Sequence, residues 1–123
     1  MQRKFRLTRS EDFKRVRRSG KSYAHPLVVL IVQTHDKRSS PVDQPRVKIG
    51  VAAGRTVGTA VTRNRAKRLL REAMRPLIPS IASSLDLILI ARPGLVSATL
   101  EETRRALLNL LQRAQILIPL NES

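Results

Sequence analysis

The 123-residue chain is long enough for one domain with a single core, since 41% of its residues are apolar. Its formal net charge of +15 favours a polyanionic partner. The absence of cysteine excludes disulfides and thiolate metal sites, and it favours a reducing, cytoplasmic setting. The longest apolar run, residues 27–32, is too short to cross a membrane, so we expect no membrane partner.

The positive charge is distributed unevenly along the chain. Residues 1–75 contain 20 Lys and Arg against five Asp and Glu, whereas residues 76–123 contain four of each. We therefore expect the first three-fifths of the domain to form an anion-binding surface, which the remainder supports.

A short helix is predicted near the start of the chain. Thr8 and Glu11 have the spacing of a capping box. Phe13 and Val16 would then face inward, and Gly20 suits the position just after the last helical residue.

Strands are predicted on both sides of a polar loop. Residues 22–34 favour extended structure, interrupted at Pro26 because proline cannot donate to a strand ladder. The apolar run within them indicates a central strand. The polar segment from about residue 35 to about residue 45 predicts a flexible hairpin loop. Residues 46–53 alternate in period two, with one apolar face. Their other face is small and basic, so we do not expect it to lie under a helix.

The most informative segment is a predicted basic helix over residues 63–75. At about 100° per residue its side chains divide into two faces. The apolar face consists of Ala66, Leu69, Leu70, Ala73 and Met74. The opposite face consists of Asn64, Lys67, Arg68, Arg71 and Arg75, with Arg63 and Arg65 on its flanks. Cations at i and i+4 repel one another, an arrangement that is best tolerated when a polyanion lies across them.

The last third of the chain predicts a strand and a helix. Pro76 and Pro79 should end the basic helix, and residues 85–91 predict a buried strand. Thr99 and Glu102 form a second capping box, followed by an apolar stripe of Leu100, Thr103, Leu107, Leu110, Leu111 and Ala114. A tail follows from about residue 116. The order α-β-β(-β)-α-β-α predicts an α+β fold, with helices packed on one face of a small mixed sheet.

The order of residues in the basic helix resembles the protein component of bacterial ribonuclease P. This family provides the small basic subunit of the ribonucleoprotein that removes 5′ leaders from precursor tRNA. The match is carried by Arg63-Asn64-Arg65, Lys67-Arg68-Leu69 and Arg71-Glu72, with support from Glu11-Asp12-Phe13, Val57-Gly58 and Ala60-Val61. The match covers nearly the whole length of the chain, and we expect residues 1–123 to form a single RNA-binding domain.

The resemblance implies a fold like the second domain of ribosomal protein S5, with a left-handed crossover between the third and last strands, against the general preference. It implies that the basic helix and its preceding loop bind the catalytic RNA. The matching residues are Arg55, Thr59, Arg63, Asn64, Arg65, Lys67, Arg68 and Arg71. It also implies a cleft between the first helix and the sheet that binds the precursor's single-stranded leader, lined by Phe13, Arg17, Tyr23 and Lys48.

The same resemblance implies that chemistry resides in the RNA. We expect no catalytic residue, metal site or cofactor in the chain, with magnesium held mainly by RNA. The expected partners are the catalytic RNA, in a 1:1 complex, and precursor tRNA, but not DNA. The residues agree, because Glu11-Asp12 and Glu101-Glu102 occupy predicted helix starts that favour carboxylates. His25 and His35 have no carboxylate at ligand spacing.

Two departures from the family pattern affect the expected sites. Arg17 occupies a position that is often aromatic in the family, one turn after Phe13. Arg55-Thr56 replaces a pair of lysines, and Gly54 replaces a small polar residue. We therefore expect leader contact to depend more on charge and less on stacking, unless the guanidinium plane of Arg17 stacks on a base in place of the aromatic ring.

Three other functions would also fit a small basic domain. A structural RNA-binding protein of the ribosome would share the charge and the fold class, but it would not require the Arg-Asn-Arg order. A DNA-binding regulator usually mixes Asn, Gln, Ser and Thr among its cations, whereas this face has only Asn64. A protein-only nuclease would need clustered carboxylates for metal ions.

Overall fold

The computed structural model describes residues 6–7, 10–34, 47–81 and 85–117. The helices in these ranges are α1 (Ser10–Ser19), α2 (Ala60–Met74) and α3 (Leu100–Arg113). The strands are β1 (Lys21–Ala24), β2 (Val28–Thr34), β3 (Val47–Ala53) and β4 (Leu85–Ala91). Short 3-10 helices span Arg55–Val57, Arg75–Ser80 and Pro93–Ser97. The Thr8 half of the first capping box, the loop of about 35–45 and the end of the tail lie outside the described ranges.

The strands form one mixed sheet in the order β1-β2-β4-β3. β2 pairs antiparallel with both β1 and β4, whereas β3 and β4 are parallel. The α+β class and the interior place of β2 are therefore confirmed. The β3-α2-β4 crossover joins neighbouring parallel strands, and its left-handed sense stays a prediction.

Helices cover both faces of the sheet, so the expectation that all of them pack on one face is wrong. α2 and α3 pack on the face that carries Leu30, Leu87 and Leu89, within the larger core. α1 packs on the other face, where Val16 joins Ile31 and Ile88 in a smaller cluster. Because β2 and β4 are apolar at nearly every position, each can bury both of its faces.

The small face of β3 lies partly under α1, contrary to expectation. The Phe13 ring packs directly on Gly50, and a Cβ added there would lie 2.3 Å from the ring's Cζ atom. Gly50 is buried as a result. A small residue in this strand therefore marks the close approach of an aromatic side chain, not an uncovered surface.

Local signals at the helix ends were mostly correct. The Thr99–Glu102 capping box is present: the Glu102 amide donates to Thr99 Oγ1 at 3.0 Å, and the Thr99 amide donates to Glu102 Oε1 at 2.8 Å. α2 ends at Met74, just before Pro76, as predicted. Leu100 is 41% exposed and does not join the core, where Ala106 is buried instead.

Gly20 follows α1 as predicted, but its φ angle is not positive. It is required there because a Cβ would lie 2.6 Å from the Val16 carbonyl oxygen and 2.8 Å from Ile31 Cγ2. Gly20 therefore permits close packing of the helix end on β2, not a left-handed cap.

Candidate nucleic-acid interface

The start of α2 is fixed by a well-defined loop. Thr59 is the N-cap, and its hydroxyl accepts from the Thr62 amide at 3.3 Å. Gly58 has a φ of 141°, a backbone conformation that residues other than glycine rarely adopt. Val57 is buried and anchors the 3-10 helix, whose Arg55 is exposed. The loop therefore presents Arg55 and Thr59 beside the first turn of α2.

The apolar side of α2 holds the helix against the larger core. Ala66, Leu70, Ala73 and Met74 are buried there, and Leu69 is half-buried. This is the face predicted from the 3.6-residue period. The opposite side of a helix anchored in this way must point away from the core, and its orientation does not depend on any partner.

The basic side of α2 faces solvent along its length. Asn64, Arg65 and Arg68 are exposed, while Arg63, Lys67 and Arg71 are half-buried. Within the described ranges, the ion pair of α2 is Arg75 with Glu72 at 3.8 Å, in the last turn. Arg65, Lys67 and Arg68 form no ion pair with a described carboxylate. The protein therefore leaves this row of charge available to an external anion.

Arg63 is the most constrained of these cations. Its Nε atom is buried and has no hydrogen-bond partner among the described residues. Burying a donor without a hydrogen-bond partner costs free energy. Arg63 therefore adds charge to the surface while lowering the free energy of unfolding.

The N-terminal segment adds a cation that the sequence did not predict. The Leu7 amide donates to the Ile49 carbonyl oxygen at 2.8 Å, and Arg6 forms a β-bridge with Ile49. Burial lowers the pKa of the Arg71 guanidinium, and the like charge of Arg6 lowers it further. An arginine remains protonated under these conditions. The charges of Arg6 and Arg71 therefore repel each other, and a bound anion would relieve that repulsion.

The residues expected to bind the leader do not all share one surface. Phe13 is half-buried on α1, with Arg17 exposed one turn later. Lys48 lies on the same sheet face, since it pairs in register with Asp86 beside Gln33. Tyr23 pairs in register with Leu30 and packs against the larger core. It therefore lies on the opposite face and does not line the space between α1 and the sheet.

An ion pair fixes α1 over this face. Arg15 Nη2 lies 2.6 Å from Asp86 Oδ2, and Asp86 is 2% exposed. Arg15 also donates to Gln33 Oε1 and, at 3.2 Å, to Asp12. The hydrogen bond to Asp86 raises the pKa of the Arg15 guanidinium, although burial opposes this. Asp86, which the sequence left isolated on its strand, anchors the helix that carries Phe13 and Arg17.

Two further sets of polar side chains have structural roles. His25 Nδ1 accepts from the Leu27 amide at 3.1 Å and so fixes the turn between β1 and β2. Glu101 pairs with Arg105 at 2.9 Å on the surface of α3. No group of three His, Asp or Glu residues in the described ranges is arranged to hold a metal ion. No helix in those ranges is long and apolar enough to cross a membrane.

Comparison with known proteins identifies relatives along nearly the whole chain. Residues 1–115 match the family model described as ribonuclease P. A ribonuclease P protein component from Herpetosiphon aurantiacus is 41% identical over 116 residues, covering 94% of this chain and 89% of the relative. The ribonuclease P protein of Staphylococcus aureus superposes with a TM-score of 0.76 at 25% identity, covering 92% and 97%. That of Thermotoga maritima superposes with a TM-score of 0.72 at 28% identity, covering 88% and 96%.

Proposed function

Because the chain belongs to the ribonuclease P protein family, we propose that it is the protein subunit that binds the catalytic RNA and the 5′ leader of precursor tRNA. In this role it assists the endonucleolytic removal of the leader, which leaves the mature tRNA 5′ end. It acts in the cytoplasm as one protein per RNA. The observation that carries the proposal is that Arg65, Lys67 and Arg68 of α2 form no ion pair with a described carboxylate and are held outward by a buried apolar face.

The catalytic RNA binds along α2 and the loop before it. Lys67 and Arg71, at positions i and i+4, meet neighbouring phosphates, and Arg65 and Arg68 add exposed charge beside them. Arg55 and Thr59 extend the contact toward the N-terminal end of the helix. Helix residues at i and i+4 lie about 6 Å apart, which is close to the spacing of phosphates along a strand. Arg6 and Arg71 continue the surface to the β3 edge.

The leader binds on the other side of β3, between α1 and the sheet. Phe13 offers part of its ring to a base, while Arg17 and Lys48 supply positive charge. Arg17 also stacks its guanidinium plane on a base where the family often has an aromatic ring. Tyr23 has no part in this cleft, since it packs on the opposite face of the sheet.

Catalysis is assigned to the RNA, with magnesium held mainly by RNA phosphates. The described carboxylates that form contacts serve other purposes: Asp86 and Asp12 pair with Arg15, Glu101 pairs with Arg105, and Glu102 completes a cap. The chain contributes by screening the repulsion between two RNA molecules and by holding the leader.

A reconstitution assay tests this function. The purified protein is added to its cognate ribonuclease P RNA at low magnesium, and precursor-tRNA cleavage is measured with and without protein. We expect the protein to raise turnover, because its charge substitutes for part of the screening that magnesium supplies. Cleavage by the protein without RNA would instead indicate a protein nuclease. No stimulation, together with recovery of the protein on ribosomal subunits, would favour a ribosomal role.

A further inference from the structure

One apolar residue stands within the cationic surface of α2. Val61 is 69% exposed, more than any other large hydrophobic side chain that the structure describes. Single exposed apolar residues are common on proteins, so its exposure alone indicates no function. Its neighbours are informative, because it lies in the first turn of α2, the helix whose Arg65, Lys67 and Arg68 form no ion pair with a described carboxylate.

Val61 forms one wall of a shallow hollow with Asn64, Arg65 and Arg68. These residues stand at i, i+3, i+4 and i+7, so they share one stripe of the helix. The hollow has a volume of about 240 Å³ and mainly apolar walls. The methyl groups of Val61 and the aliphatic stems of the two arginines account for that apolar character.

The four side chains together have the chemistry that binds a flat, partly polar ring. Val61 supplies an apolar surface, and the planar guanidinium groups of Arg65 and Arg68 can stack on an aromatic face. Asn64 carries both a donor and an acceptor that can pair with a base edge. A phosphate would gain no favourable contact from the apolar Val61 side chain. A ribose would bury its hydroxyl groups against apolar walls without hydrogen-bond partners, which costs free energy.

We propose that this hollow receives an unpaired nucleobase of the catalytic RNA. The inference rests on the proposed function, since it assumes that α2 lies on that RNA. Bases inside an A-form helix cannot reach such a hollow, so the base comes from a loop, bulge or junction. Val61 and Asn64 thus give the interface a contact that depends on the shape of the RNA, in addition to its phosphate charge.

Salt dependence separates this contact from the ionic ones. Val61→Thr keeps the size and branching of the side chain but replaces a methyl group by a hydroxyl. We expect it to weaken binding of the cognate ribonuclease P RNA about three- to tenfold, with an unchanged slope of log K against log salt. Arg65→Ala should weaken binding and also lower that slope by about 0.7–0.9. Leu108→Ala, at a 37% exposed residue of α3, is the matched control and should change neither.

Site-directed crosslinking identifies what occupies the hollow. The chain has no cysteine, so Val61→Cys provides a single attachment point for a short azidophenacyl photo-crosslinker. Crosslinks to the ribonuclease P RNA should map to an unpaired nucleotide, and Leu108→Cys should give none above background.

The outcomes of these experiments distinguish failure of the nucleobase site from failure of the proposed function. Wild-type affinity for Val61→Thr, or crosslinks that map only within continuous duplex, would overturn the nucleobase site while leaving the cationic helix in place. A smaller slope of log K against log salt in Val61→Thr would also overturn the nucleobase site, because the residue would then act through the ionic contacts. Unchanged affinity and slope in Arg65→Ala would instead contradict the placement of α2 on RNA.

Discussion

Gly50 controls how closely α1 approaches the sheet. Its missing Cβ leaves the space that the Phe13 ring occupies, at a distance no side chain could share. A glycine is therefore required here by contact across the domain, and not by backbone conformation. Nothing in the alternation of residues 46–53 could reveal this, since the ring comes from a helix distant in sequence.

Gly50→Ala should displace the Phe13 ring. We expect a loss of about 1–3 kcal/mol in the free energy of unfolding, as for overpacked cores, measured by urea denaturation. Binding of precursor tRNA relative to mature tRNA should fall, while affinity for the catalytic RNA should not. Gly54→Ala is the control for stability, because a Cβ there meets nothing within 4 Å. Equal stability of the two variants would show that Phe13 does not press on Gly50.

The charge of Arg6 is expected to affect stability and RNA binding in opposite directions. Burial lowers the pKa of the Arg71 guanidinium, and the like charge of Arg6 lowers it further, so the two cations repel each other. Arg6→Gln should leave the free energy of unfolding unchanged or raise it slightly. The same change should weaken binding of the catalytic RNA and lower its salt slope by about 0.7–0.9. Unfolding and binding measured on one preparation test both signs, and unchanged RNA affinity would remove Arg6 from the interface.

At the scale of elements, the helices differ in how much their sequences could predict. The apolar and basic faces of α2 follow from a 3.6-residue period that is local to the helix, so its buried residues and its exposed Asn64, Arg65 and Arg68 agree with the prediction. The partial burial of Arg63 and Arg71 does not follow from that period. α1 has an equally clear inward side at Val16. Its periodicity cannot say which face of the sheet it covers, because β2 and β4 are apolar on both faces.

Tyr23 shows the same limit for a strand. Its side depends on the register of β1 against β2, where it pairs with Leu30. A shift of one residue would move it to the α1 face, and the four residues of β1 do not alternate strongly enough to fix that register from sequence. Arg6 escaped prediction for a related reason, because its contact with β3 spans more than 40 residues of chain.

The attachment of α1 depends on its ion pair with β4. Arg15→Ala removes a 2.6 Å contact to Asp86, which is nearly fully buried. The side chain of Arg15 is itself 39% exposed, so the expected loss of unfolding free energy, about 2 kcal/mol, lies below the usual cost of breaking a fully buried pair. Thermal or urea unfolding measures it.

Arg105→Ala is the matched control for that prediction. It removes an ion pair of similar length on α3 in which both side chains are at least 75% exposed. Surface pairs of this type contribute about 0.3–0.5 kcal/mol. Similar losses in the two variants would mean that burial of Asp86 does not strengthen the contact, and that α1 is held mainly by Phe13 and Val16.

At the scale of the whole molecule, β3 separates two cationic surfaces. It is one of the two edge strands of the sheet, with α2 on one side and α1 on the other. Arg6 forms a β-bridge with its outer edge at Ile49. Under the proposed function, α2 contacts the catalytic RNA and α1 contacts the leader of the substrate. The positive charge of the protein would then lie between two polyanions that otherwise repel each other.

This division also explains the uneven charge of the sequence. α1, β3 and α2 all belong to residues 1–75, which carry the whole net charge. β4 and α3 complete the sheet and cover the larger core, so they need no excess of cations. The uneven distribution of charge along the chain could be predicted from the sequence. That the cations of α1 and those of α2 lie on opposite sides of β3 could be learned only from the fold.

The most direct test is the salt dependence of binding to the cognate ribonuclease P RNA. The wild type, the double variant Arg65→Ala/Arg68→Ala and the control Arg105→Ala are compared between low and physiological salt. The account predicts a wild-type slope of several units, lowered by about 1.4–1.8 in the double variant and unchanged in the control. A double variant with wild-type affinity and slope would contradict the claim that the cationic face of α2 lies on RNA.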